Sequence, residues 1–148
     1  MFNESSYIRL LFLLSDTHEW LESMEYGLLE QLPMQGSKKN LFRKTYFLTV
    51  PAMAHIVERH YHKVQRHPET GKFTIGLQDI LHWIREAKTA EPQLIPSTQN
   101  FFRWLDTHEM IGFDNDGIST SIITVITTPG GRIQTAFPGK MKTENLLV

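Results

Sequence analysis

From residue 108 onward the hydrophobic pattern of the chain changes its period. "HEMIGF" and "ISTSIITVIT" alternate apolar and polar positions on either side of "DNDG", and "IQTAF" follows a second tight connection, "TPGGR". A period of two turns one face of a strand inward and the other outward, and the Asp116-Gly117 pair is a strong hairpin-turn dipeptide. A chain patterned in this way pairs its last strands antiparallel, and the segments ahead of them must cover one face of that sheet.

Those segments carry the helical period. Tyr7, Leu10, Leu11 and Leu14 recur at three and four, and Trp20, Met24 and Leu28 continue the pattern beyond a break at 15–17, which predicts helix over 6–31. "LFRKTYFLTV" is rich in aromatic and β-branched residues and predicts a strand from about Phe42 to Leu48. Thr49 followed by Pro51 is a helix start, so a helix is expected from Pro51 to about Gln65. "LQDILHWIREA" predicts a second helix, and "IPSTQNFFRWLD" a short third one behind Pro96. The expected fold is α+β, N-terminal helices packed on a C-terminal antiparallel sheet of three to four strands. At 148 residues it forms one compact unit, with an acidic helical segment over 1–37 ahead of an α+β domain over 38–148.

The formal net charge of -1 hides a segregation. Residues 1–37 hold one basic side chain against six acidic, whereas 38–72 hold eight basic against two acidic. Local potential, not the total, steers an anionic ligand, so the middle of the chain is a candidate polyanion-binding strip. There is no cysteine, which excludes disulfides, thiolate zinc sites and a cysteine nucleophile from this sequence. The run "YIRLLFLLSD" is short, interrupted by Arg9 and without a small-residue cleavage site, so it reads as helix, and no stretch has the length of a membrane span.

The basic strip contains "AHIVERHYHKVQRH", which holds four of the seven histidines. At about 100° per residue, His55, Arg59, His62, Lys63 and Arg66 share one helix face, and His60 falls with Met53, Ile56, Val57 and Val64 on another. Helical zinc sites need histidines at i and i+4 with a glutamate after the first, and the spacing of His55 and His60 does not provide that. Acid and base chemistry fits better. Imidazole can take up and release protons near neutrality, and metal-free RNA cleavage needs a base for the 2′-hydroxyl, an acid for the departing 5′-oxygen and cations for the charged phosphorane. His55, Arg59, His60 and Lys72 supply those functions, Thr135 offers a hydroxyl, and Lys63, Arg66 and Tyr61 are candidates for RNA contact, Tyr61 by stacking on a base. In a continuous helix His55 and His60 lie about 140° apart and cannot both enter one cleft, which leaves His60 as the catalytic candidate if it faces the sheet.

At these residues the chain resembles a family. A strand ending "FLT", a helix with "HIVERH", a loop ending "GKF", the helix "LQDILHWIREA" and the hairpin "VITTPGGRIQTAFPGK" are similar to the barnase, EndoU, colicin and RelE-like (BECR) ribonucleases of phage proteins and bacterial polymorphic toxins. The resemblance covers about 42–140, and it implies metal-independent RNA cleavage, with tRNA a candidate substrate, in a cleft on the sheet, with no cofactor. It places His55 and the Arg59-His60 pair on the helix motif, Lys72 on the loop lysine and Thr135 in a Thr-x-Phe-Pro strand end. It further implies a toxin that acts in the cytoplasm after delivery from outside, or as part of a larger secreted protein, and a neutralising immunity or antitoxin protein as partner. The competing expectation is a non-catalytic interaction protein that binds nucleic acid or an acidic partner through the basic strip.

Overall fold

The structure, a computed structural model, describes residues 2–16 and 46–141. Helix α1 covers 4–16, and Asn3 caps its start by accepting a hydrogen bond from the Ser6 N–H at 3.0 Å. The expected continuation to 31 and the first part of the strand expected from Phe42 lie outside the described residues. Leu11 of α1 joins the central core, with Tyr7, Ile8 and Phe12 packed against it.

Helix α2 runs Val50–His60. The Thr49 side chain accepts from the Ala52 N–H at 3.2 Å, Pro51 stands in the first turn, and Met53, Ile56, Val57 and His60 turn one buried stripe inward. The helix stops five residues before the expected Gln65. Tyr61 becomes extended and forms a parallel bridge to Phe73, and the His62 N–H donates to the Phe73 carbonyl at 3.1 Å. A strand partner from later in the chain therefore overrides a local pattern that would have carried the helix on.

Strand β1 (Lys72–Phe73) leads to helix α3 (Leu77–Glu86), which buries Leu77, Ile80 and Ile84 as the period requires, and a 3-10 turn follows at Ala87–Thr89. The expected third helix is instead a hairpin. Strand β2 (Gln93–Leu94) turns through 95–100 into β3 (Phe101–Asp106), and all six residues of β3 pair with β6. "FFRWLD" satisfies a helical period and a strand composition equally, and the neighbouring strand decides between them.

Strands β4 (Gly112–Phe113), β5 (Ser119–Thr120), β6 (Ile122–Thr127) and β7 (Ile133–Pro138) complete the chain order. They form two antiparallel sheets, a small one ordered β1-β4-β5 and a larger one ordered β2-β3-β6-β7. The turn at Asp114 to Gly117 behaves as its dipeptide implies: Gly117 has a φ of +76°, and Asp114 Oδ1 accepts from the Asp116 and Ile118 N–H groups. Gly112 is required for a different reason, because a Cβ there would stand 2.2 Å from the Lys72 carbonyl oxygen of the paired strand.

The result is an α+β fold, with three helices among the described residues and the core between them and the sheets. Ile123, Val125 and Ala136 of the large sheet meet Ile56, Val57, Ile80 and Ile84 of the helices. Phe47, the only described part of the early strand to pair, bridges in parallel to Arg132, with Ile133 N–H donating to the Phe47 carbonyl at 2.8 Å. No helix among the described residues is long and apolar enough to cross a membrane.

Candidate active site

Helix α2 lies along strand β7, and the two elements bring the sequence-selected groups together in pairs. At the middle of the helix, His55 shares a cavity of about 410 Å³ with Thr135 of β7, and Arg132, Gln134, Pro51 and Ile133 also line it. Near its end, the His60 ring packs on Phe137 of the same strand, centroids 5.9 Å apart. Phe137 is the aromatic residue of the Thr-x-Phe-Pro strand end.

The two imidazoles are neighbours, but only His55 lines the cavity. Their ring centroids are 6.5 Å apart, edge to face. Five residues along a helix give about 7.5 Å of rise and 140° of rotation, and each ring lies beside a residue of β7, His55 with Thr135 around the cavity and His60 on Phe137.

Their environments differ sharply. His60 is 8% exposed, and its Nδ1 lies 3.0 Å from the Gly71 carbonyl oxygen. A carbonyl only accepts, so the Nδ1 is the protonated nitrogen and Nε2 carries the lone pair. Burial lowers the pKa of His60 to about 4 against the opposing effect of the Gly71 bond, and the charges of His55, Lys72 and Arg59 push in the same direction as burial. The ring is neutral at physiological pH. His55 is half-buried at the cavity wall, and burial and the Arg59 charge lower its pKa to a smaller extent.

Lys72 reaches the His60 end of α2 from the small sheet and does not line the His55 cavity. Its Nζ donates to the Arg59 carbonyl at 2.5 Å, at the C-terminal end of α2 where a cation complements the helix dipole, and burial lowers its pKa. The Thr70 hydroxyl donates to the same carbonyl at 2.6 Å, and the Arg59 side chain itself is exposed. Thr135 Oγ1 is buried and has no hydrogen-bond partner among the described residues, at the edge of the cavity that His55 lines.

Three residues expected at an RNA surface are placed elsewhere. Tyr61 is 2% exposed and its hydroxyl donates to the Glu4 carboxylate, so it has no ring face for a base, which corrects the stacking role. Lys63 pairs with Glu4 at 2.8 Å, and that bond is the main reason the Glu4 carboxyl is held below its ordinary pKa. Arg66 stands 3.9 Å from Glu58 and lies over the Phe12 ring. Lys63 and Arg66 therefore turn toward α1 and not toward the cavity.

Two cavity residues, Arg132 and Gln134, were not singled out from the sequence. The signal available was the cation directly behind the "TPGG" turn, two and three residues ahead of Gln134 and Thr135 on the same strand. Among the described residues no group of three or more histidine, aspartate or glutamate side chains is arranged to hold a metal ion. No family model, curated protein or solved structure matches this chain.

Proposed function

We propose that the chain is a metal-independent endoribonuclease of the BECR type, which cleaves RNA by transesterification at the cavity between α2 and β7. The observation that carries the reading is the meeting of His55, Thr135 and Arg132 around one cavity of about 410 Å³, with His60 ring to ring beside His55. The size is that of a small-molecule or nucleotide site.

In this reading His55 is the base. It is neutral near pH 7 because its pKa lies below the ordinary imidazole value, and it lines open space, whereas His60 is enclosed. His55 takes the proton of the ribose 2′-hydroxyl, and the freed oxygen attacks phosphorus. Arg132 holds the phosphorane oxygens beside Thr135, and the bond to the 5′-oxygen breaks as that oxygen takes a proton from water, which the open cavity admits. Lys72, bound to the Arg59 carbonyl outside the cavity lining, is not the proton donor. The products are a 2′,3′-cyclic phosphate and a free 5′-hydroxyl. His60 serves as a positioning residue that ties α2 to the Gly71 carbonyl and to Phe137. The toxin role and a neutralising protein partner follow from the resemblance of the motifs alone.

The test is incubation of the purified protein with mixed RNA in excess chelator, followed by analysis of the new ends. Cyclic phosphate ends are expected, and His55→Ala should lower the rate by about 10²-fold or more. RNA binding without any cleavage would overturn the reading and favour a non-catalytic interaction protein.

A further inference from the structure

Strand β7 contains one residue more than its partner can pair. Ile126 of β6 is opposite Thr135 and the next residue, Thr127, is opposite Ile133, so Gln134 stands in excess between them as a bulge. Bulges re-aim a side chain and are enriched beside active sites. Here the bulged residue lines the cavity of His55 and Thr135.

The Gln134 side chain is also oriented. Its Oε1 accepts a hydrogen bond at 3.1 Å from Nδ2 of Asn100, which lies in the turn between β2 and β3. With the oxygen engaged, the Gln134 amide keeps its N–H groups for another partner. We infer that Gln134 is a specificity residue of this cavity and selects a nucleobase that offers a keto oxygen, uracil or guanine, over one that offers an amino group at the same edge. The inference rests on the ribonuclease reading for its substrate class. The chemistry is complementarity: an amide N–H meets a keto oxygen productively, and it meets an exocyclic amino group donor to donor. Arg132 and His55 take the phosphate side of the nucleotide, and Pro51 gives the base an apolar wall.

Two measurements on the full chain test this independently of each other. Binding of the four 3′-nucleoside monophosphates should favour the uridine and guanosine forms by roughly 3- to 10-fold, the value of one hydrogen bond. Cleavage of short RNAs that differ in one base should show the same order. Gln134→Glu replaces the donor by an acceptor and should reverse the order toward cytosine and adenine, and Asn100→Ala should flatten the preference while leaving the rate on the preferred base nearly unchanged. Cleavage or nucleotide binding with no base preference, or with a preference that Gln134→Glu leaves intact, would overturn the inference while the ribonuclease reading stood. Ordered nucleotide binding without cleavage would do the opposite. Absence of both binding and cleavage would remove the inference together with the reading it rests on.

Discussion

The middle and the end of α2 carry the same type of side chain in opposite circumstances. In the middle, His55 borders an open cavity beside Thr135 and Arg132. At the end, His60 is enclosed between the Gly71 carbonyl and Phe137, and its neighbour Tyr61 is sealed against Glu4. The difference teaches that an imidazole's task is set by what closes around it: the first half of this helix is open to a ligand, and its last turn holds the helix in place.

The largest effect expected from that contrast is on stability. His60→Ala should lower the unfolding free energy by about 2–4 kcal/mol, because it leaves the Gly71 carbonyl without its donor and a gap against Phe137. His55→Ala should change it by less than about 1 kcal/mol, because the side chain already borders open space. Urea unfolding of both variants checks the pair, and equal losses would erase the distinction.

Acid should sharpen it next. Burial depresses the pKa of His60 to about 4, so between the ordinary histidine value and pH 4 the unfolded chain binds a proton that the folded chain refuses. Stability should be unaffected by this group above about pH 6.5, fall as the pH drops toward 4, and lose up to about 3 kcal/mol in all. His60→Gln should flatten that part of the pH profile. A profile that His60→Gln leaves unchanged would show that His60 is not sealed.

The smallest effect belongs to the open half. Thr49→Ala removes the hydroxyl that accepts from the Ala52 N–H and should lower stability by about 1 kcal/mol. Hydrogen exchange should rise in the first turn of α2 and stay slow around Val57 and His60.

The same contrast separates what the sequence made legible from what it did not. The start of α2 could be read because its causes are adjacent in the chain, Thr49 as cap and Pro51 in the first turn. The burial of His60 could be read from its place among Met53, Ile56 and Val57 on one face. The end of the helix could not, because the Phe73 backbone that draws Tyr61 and His62 away comes eleven residues after His62. Strand β3 was hidden for a similar reason: "FFRWLD" is compatible with either element until β6 pairs with it along its whole length. At the site, His55 and Thr135 were marked by residue type, but Gln134 depends on a register shift that no local pattern announces.

That shift also says which kind of change the site would tolerate least. A chain shortened by one residue at Gln134 could pair β6 and β7 in an unbroken ladder, with Ile133 still opposite Thr127 and Thr135 still opposite Ile126, so the strand would keep its faces and lose the one side chain that the extra residue turns toward the cavity. The surplus residue of β7 is therefore what natural or engineered variants of this hairpin would have to preserve, because a regular ladder has no place for it.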